Sequence, residues 1–430
     1  MSDRDTEANS RAVRHFYEGN PYPPPVADLE DVRRLWQDPA RRRADHHLHW
    51  PARAYSEAQS ILVAGCGTSQ AARYALRQPK AQVIGIDVSP TSIRHTESLK
   101  DRHALSNLEV RVHPIERVGE LGRRFDRVVC TGVLHHLADP DAGLRALSDV
   151  LKPDGAMHLM VYASYGRAGV YMLQDYCRRL GIGTTDAELR DLADTLMSLP
   201  EGHPLAHLLA HAPDFRSRAG LADALLHPND RAYSVAEFLD FIDRAGLHFQ
   251  RWVRQAPYLP QCGDPGTTPH RDRLLRLAPA ERYAALELLR GTMVRHSAIV
   301  SHRDGSEDGG TVRFDSDDWL DFVPIRLPDT VCVRDRPPRG AAAVLINKGH
   351  SYGDLFLPID RVEKKLFDAI DGHRTTAGIM QLATGPQRQE QARAFFERLW
   401  WYDQVVFDTS RRIAGGNAEA VPESGRARSQ

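Results

Sequence analysis

The feature that most constrains this chain is the stretch Ile61-Leu62-Val63-Ala64-Gly65-Cys66-Gly67-Thr68-Ser69, where an apolar run ends in Gly-x-Gly. A second apolar run, Val83-Ile84-Gly85-Ile86-Asp87, ends in a carboxylate about twenty residues further on. Short apolar runs bounded by turn formers read as buried strands rather than helices. Glycines let the backbone bend tightly and approach a ligand closely. A carboxylate at the tip of the neighbouring strand can accept hydrogen bonds from both hydroxyls of a ribose. The pattern is that of a nucleotide-type cofactor site on a parallel sheet.

The alternation continues. Strands are expected at 61–65, 82–87, 109–113, 125–131 and 155–161. A helix follows the glycine turn over 69–77, and another starts at Ser89-Pro90 with Ser89 as N-cap. Asp139-Pro140 opens a third, in which Leu144, Leu147 and Leu151 share a face. Alternating strands and helices imply an α/β fold with a doubly wound parallel sheet. Residues 166–245 then read as mostly helical, Leu247–Val253 as a sixth strand, Ala278–Leu289 as a helix and Met293–Ser301 as a seventh strand.

Outside the sheet, a short helix is expected over Arg11–Glu18, followed by an extended segment at Asn20-Pro21-Tyr22-Pro23-Pro24-Pro25, because proline fixes φ and restricts its predecessor. Residues 28–55 read as helical or irregular. The composition of 303–311 is that of a flexible linker. Residues 312–410 read as a separate small α+β unit, winged-helix-like, with helices after Asp360, over Thr375–Leu382 and over Gln389–Trp401, and a closing strand Gln404–Phe407. The expected organisation is an N-terminal arm or lid over 1–57, a cofactor domain over 58–305 with an acceptor-binding insertion at 166–245, the unit at 312–410, and a polar, disordered tail from 411 to 430.

Two cofactors compete for the glycine turn. A dinucleotide fingerprint needs Gly-x-Gly-x-x-Gly, and after Gly67 the chain has no third glycine in place, although Ala72 fills a relaxed version. Further along stand Phe125-Asp126-Arg127-Val128-Val129-Cys130-Thr131-Gly132-Val133-Leu134-His135-His136-Leu137 and Leu151-Lys152-Pro153-Asp154-Gly155. With these, the chain resembles class I S-adenosylmethionine (SAM)-dependent methyltransferases. Phe16-Tyr17-Glu18-Gly19-Asn20-Pro21-Tyr22-Pro23, Ala64-Gly65-Cys66-Gly67-Thr68 and Gly132-Val133-Leu134-His135-His136-Leu137-Ala138-Asp139-Pro140 resemble a bacterial group of such enzymes. The resemblance implies a Rossmann-like seven-stranded sheet with an antiparallel last strand, SAM as cofactor, and methyl transfer. It does not name an acceptor.

By this resemblance, Gly65, Cys66 and Gly67 lie under the methionine part of SAM, Asp87 and Val88 at the ribose, Thr131 beside the methionyl group, and Tyr22 at the cofactor mouth. Two positions depart from the pattern. Val63 replaces an acidic residue, so the SAM amino group needs another partner. Pro114 stands where a carboxylate usually takes the adenine amino group, leaving Ile115, through its backbone N–H, or Glu116 to cover the adenine. His135 is the expected general base, its ordinary pKa suiting that role; the alternative is a turn histidine stacked on the sheet edge. Tyr17, with Tyr22, belongs to a segment able to fold over the mouth; the alternative is plain packing. Asp223, His227, Arg231 and Tyr233 lie within one short stretch and suit an acceptor pocket, with His227 beside the chemistry; the alternative is a solvated helix end.

With 430 residues and a formal net charge of −1, the chain has no overall field to draw nucleic acid. No apolar run is long enough to span a membrane, and the five cysteines are scattered without Cys-x-x-Cys, which points to reduced thiols in the cytoplasm. The densest histidine group, Asp45-His46-His47-Leu48-His49, lacks a recognised ligand spacing, so no metal is expected. The leading expectation is a cytoplasmic methyltransferase, possible as a homodimer, acting on N or O of a small molecule in specialised metabolism. The rivals are a peptide or protein methyltransferase that holds its substrate with 312–410, and a non-catalytic SAM-binding regulator.

Overall fold

The computed structural model describes residues 3–211, 213–303, 312–383 and 387–410. Of the linker expected at 303–311, residues 304–311 lie outside the described residues, as does the tail expected at 411–430. The chain divides into two units, one of residues 1–38 and 57–307, the other of 39–56 and 308–430.

In the first unit, α1 (Asp3–Gly19) and α2 (Glu30–Trp36) precede the sheet, while α3 (Pro39–His49) belongs to the second unit. The winding is β1 (Ser60–Ala64), α4 (Gln70–Arg77), β2 (Gln82–Asp87), α5 (Pro90–Arg102), β3 (Leu108–Val112), a 3₁₀ segment Ile115–Leu121, β4 (Phe125–Thr131), α6 (Pro140–Asp149) and β5 (Leu151–Tyr162). A helical stretch follows: α7 (Ala168–Leu180), α8 (Asp186–Met197), α9 (Ala206–His211), α10 (Arg218–Leu226) and α11 (Val235–Arg244). Then come β6 (Leu247–Trp252), α12 (Arg271–Arg276), α13 (Pro279–Arg290) and β7 (Arg295–His302). The seven strands lie in the order β3-β2-β1-β4-β5-β7-β6, parallel except for β7, which is antiparallel to both of its neighbours.

The central strands are apolar on both faces because helices cover both: Ile61, Leu62, Val63, Val128 and Val129 are fully buried. Ser89 caps α5 by accepting the Ser92 N–H, and Asp139 caps α6 by accepting that of Ala142. The strand expected at 155–161 starts earlier, at Leu151, with an irregularity inside β5: Leu151 pairs with Phe125, and regular pairing resumes at Arg127 with Ala156. One strand carries extra residues there, which is what a bulge does.

The second unit holds α3, β8 (Val323–Arg326), β9 (Thr330–Val333), β10 (Ala343–Asn347), β11 (Phe356–Ile359), α14 (Arg361–Asp368), α15 (Thr376–Met380), α16 (Arg388–Trp401) and β12 (Val405–Asp408). The strands form two antiparallel sheets, β11-β10-β9 and β12-β8, around Trp319, Phe322, Phe395, Phe396 and Phe407. Sequence patterning registers only the last of these strands; the other four are short and lie among Pro, Asp and Gly. The single arm expected over 1–57 is also divided, because 39–56 packs with the second unit: Thr409 N–H donates to the Pro51 carbonyl (2.8 Å), and the His47 Nε2 lies 3.5 Å from Asp408. The histidine-rich segment is a buried helix, with His46 packed on Trp50 and Tyr55.

Candidate active site

The glycine turn leaves the tip of β1 with Gly65 at φ +68° and Gly67 at φ +54°, conformations that a side chain resists. A Cβ on Gly65 would stand 2.4 Å from Val133, and one on Gly67 3.0 Å from Pro23 and 3.1 Å from the Tyr22 carbonyl. Asp87, at the tip of β2, accepts the Gly67 N–H and the Ser89 N–H, each at 2.9 Å. Burial pushes its carboxyl pKa up, and these N–H groups oppose the shift. Cys66 is buried, and burial raises its thiol pKa well above the ordinary value. Val88 is half-buried next to Asp87, and Thr131 at the tip of β4 accepts from the Gln70 amide at 2.7 Å. Ile115 is buried at the start of the 3₁₀ segment, with half-buried Glu116 beside it.

The N-terminal arm reaches this turn. Thr68 Oγ1 donates to the Pro23 carbonyl at 2.8 Å, so the Tyr22–Pro23 segment lies directly on Gly67. Five residues earlier, the Tyr17 hydroxyl donates to Asp223 at 3.1 Å, and Phe16 packs among Val170, Leu173 and Leu221 of the helical insertion.

Beside the turn, at the tips of β4 and β5, lies a buried cluster of His135, His136, Arg167, Asp223 and His227. The His135 ring packs tilted against Tyr162 at 4.0 Å and edge-on against His136 at 4.2 Å; His136 packs tilted against His227 at 3.9 Å, and His227 touches Phe16 and Tyr17. Asp223 lies among them, with the Tyr162 hydroxyl 3.5 Å from its second oxygen. The Arg167 guanidinium lies 3.6 Å over the Tyr162 ring and 3.8 Å from Asp230. Gln174 donates to Asp230 at 2.9 Å.

Burial sets the protonation states. It lowers the pKa of His135 well below the ordinary histidine value, helped by His136, Arg167 and His227, so the ring is neutral. Both of its nitrogens are buried and have no hydrogen-bond partner among the described residues. Burial lowers His227 likewise. It raises Asp223 to about 6, against the opposing pull of His136 and the Tyr17 hydroxyl. Burial, then the Asp223 charge, lifts Tyr17 and Tyr162 well above the ordinary phenol range. The cluster thus holds a neutral imidazole at His135 beside a carboxylate that changes charge near neutrality, perturbed groups of the kind that gather at functional sites. His135, His136 and Asp230 also place potential ligand atoms within 4.8 Å of one another. The Asp230 carboxylate already faces Gln174 and Arg167, so its charge is met by protein groups.

The sequence grouping of Asp223, His227, Arg231 and Tyr233 does not form one site. Asp223 and His227 turn towards Tyr17. Arg231 is exposed, with its guanidinium 5.3 Å from the Tyr233 ring. Tyr233 bridges to the end of β5 and packs on Phe241. After Pro228 the chain runs alongside β5, and this carries its later side chains away from the cluster. The sequence reading missed His136, Tyr162, Arg167 and Asp230. Tyr162 had a signal: it is the last residue of the strand beside β4, and ligands of doubly wound folds meet the carboxyl ends of strands.

Residues 62–157 match the family model of a methyltransferase domain. The chain is 29% identical over 300 residues to an uncharacterised protein of Synechococcus sp., spanning 65% of this chain and 69% of that protein. It is 26% identical over 155 residues to a ubiquinone biosynthesis O-methyltransferase of Coxiella burnetii, spanning 34% of this chain and 65%, just under two thirds, of that enzyme. Its fold is similar to that of PKMT2 from Rickettsia typhi in complex with AdoHcy, with a TM-score of 0.63, 15% identity, and coverage of 90% of this chain and 77% of that one. The chain therefore carries a methyltransferase domain on a seven-stranded Rossmann-like sheet.

Proposed function

We propose that this protein is a SAM-dependent methyltransferase acting on N or O of a small molecule, with SAM held at Gly65–Gly67 and Asp87 and the acceptor met by the His135–Asp223 cluster. SAM is the methyl donor that the domain match implies. One juxtaposition carries the reading: a turn held open by two glycines, its Gly67 amide fixed by the strand-end Asp87, directly beside a buried acid–base cluster. The residues present suit SAM. The glycines free the turn of Cβ atoms, and Asp87 sits where ribose hydroxyls can reach it. Cys66 and Thr131 complete the methionine side, Val88, Ile115 and Glu116 the nucleoside side, and Tyr22 the mouth.

When bound, SAM supplies an electrophilic methyl group; the chain supplies position and a proton acceptor. The aromatic walls and the arm exclude water. Holding nucleophile and methyl in line supplies roughly 7–11 kcal/mol in favourable cases. His135, neutral and with both ring nitrogens open, takes the proton of an acceptor that still carries one. Tyr17 and Asp223 orient the acceptor from the arm side. His227 lies at the edge of the same cluster, and Arg231 and Tyr233 drop from the proposed acceptor contacts.

The test is formation of S-adenosylhomocysteine from SAM with fractionated small-molecule extracts, read by mass spectrometry. The reading expects formation with a low-molecular-mass fraction and its loss in His135→Ala. Formation only with polypeptide fractions would support the peptide reading. SAM binding with no turnover in any fraction would support the regulator.

A further inference from the structure

The methionine end of SAM carries an ammonium and a carboxylate, and the ammonium needs an acceptor. Strand β1 offers no side chain for it, because Val63 is apolar and fully buried. The carboxylates carried by its two neighbours, β2 and β4, are engaged. Asp87 accepts the Gly67 N–H on one oxygen and the Ser89 N–H on the other, each at 2.9 Å. Asp126 stands at the opposite end of β4 from the turn, where it accepts from the Ser60 hydroxyl at 2.7 Å and from Lys152 at 2.8 Å. An acceptor nevertheless lies at the turn. β1 and β4 run parallel with Val63 paired to Val129, so Thr131, at the tip of β4, stands beside the glycines. Gln70, the first residue of α4, reaches across to it. The Gln70 backbone N–H donates to the Cys66 carbonyl at 3.1 Å, and its side-chain Nε2 donates to Thr131 Oγ1 at 2.7 Å. An amide held through its nitrogen presents its oxygen to the other side. Gln70 is half-buried; its Oε1 has no partner among the described residues and keeps surface open to solvent.

We infer that Gln70 receives the α-ammonium of SAM on Oε1, with Thr131 fixing the amide, and so supplies the acceptor that β1 lacks at Val63. The charge of the ligand decides which of its groups fits. An ammonium only donates and matches the open oxygen; a carboxylate only accepts and cannot use it. The amide is held rigidly enough to discriminate. Its backbone is fixed as the start of a helix, its nitrogen is bonded, and the tips of β1 and β4 are tied a second time by Val133, packed so closely on Gly65 that a Cβ there would stand 2.4 Å from it. The inference rests on the SAM reading above and adds a residue to its cofactor site.

The experiment is titration calorimetry of the full chain at pH 7, by displacement where binding is weak, with three ligands: S-adenosylhomocysteine, its analogue without the α-amino group and its analogue without the carboxylate. Gln70→Ala should weaken S-adenosylhomocysteine at least tenfold, as the loss of a hydrogen bond to a charged group implies, and weaken the carboxylate-free analogue by a similar factor. It should leave the amino-free analogue within about twofold of the parent. That contrast separates contact with the ammonium from support of the turn through Thr131, whose loss would weaken all three ligands alike. Gln70→Glu puts a carboxylate at the same place and can still accept the Thr131 hydroxyl. It should keep S-adenosylhomocysteine binding and widen the preference over the amino-free analogue, and it decides should Gln70→Ala fail to fold. Equal weakening of all three ligands, unchanged S-adenosylhomocysteine affinity in Gln70→Ala, a loss that needs the carboxylate rather than the amino group, or no wider preference in Gln70→Glu overturns the inference and leaves the SAM reading standing. Absence of S-adenosylhomocysteine and SAM binding to the parent protein brings down that reading instead.

Discussion

Asp223 links stability and chemistry through one proton. It is 3% exposed, and its carboxyl is raised from an ordinary 3.8 to about 6. Below about pH 3 the group is protonated in the folded and the unfolded chain alike, and its burial carries no charge. As the pH rises, the unfolded chain ionises first, so the folded state loses stability until it too ionises near pH 6; above that the loss is constant. Raising the carboxyl from 3.8 to about 6 corresponds to about 3 kcal/mol. Asp223→Asn keeps the volume, leaves an oxygen to accept from Tyr17 and removes the titration. Urea unfolding of both proteins, followed by circular dichroism from pH 3 to pH 8, isolates the difference because every other group is shared. The stability advantage of the wild type over the variant should shrink by about 3 kcal/mol between pH 3 and pH 7, then level off. A flat difference would refute the reasoning, showing that Asp223 is solvated or is paired with a cation throughout.

Other expectations follow from single contacts. Asp87→Ala removes the acceptor for ribose, and hydrogen bonds to a charged group contribute about 1.5–3 kcal/mol each; SAM affinity by calorimetry should fall at least tenfold. Gly67→Ala puts a Cβ 3.0 Å from Pro23 at positive φ, so the arm should lift, and limited proteolysis should cut near Tyr22 faster than in the parent. His135→Ala should lower turnover by on the order of 10²–10⁴ with SAM affinity held within threefold, whereas Arg231→Ala, on an exposed side chain, should change turnover less than twofold.

The parallel sheet was legible because its strands are buried on both faces and bounded by Gly, Pro and Asp, so that hydrophobic pattern and turn chemistry agree. The caps Ser89 and Asp139 were legible for the same local reason. The C-terminal strands were not: β8, β9 and β11 are four residues each, too short for a period of two to show. Nor was the division of 39–56 from the arm, which is set by contacts of α3 with β12 far along the chain. At the site, Gly65, Gly67 and Asp87 announce themselves by spacing. The acid–base cluster does not, because it assembles Tyr17, His135, Tyr162, Arg167, Asp223 and Asp230 from six separate segments. Proximity in sequence misled where it grouped Arg231 and Tyr233 with Asp223; a strand-like bridge at Tyr233 turns neighbouring side chains apart.

The central claim is that the Gly65–Gly67 turn and Asp87 hold SAM rather than a dinucleotide. Titration calorimetry of the full chain with SAM and, separately, with NAD tests it most directly. The prediction is saturable SAM binding in the low- to mid-micromolar range, weakened at least tenfold in Asp87→Ala, and no comparable heat with NAD. Tight NAD binding without SAM heat would contradict it.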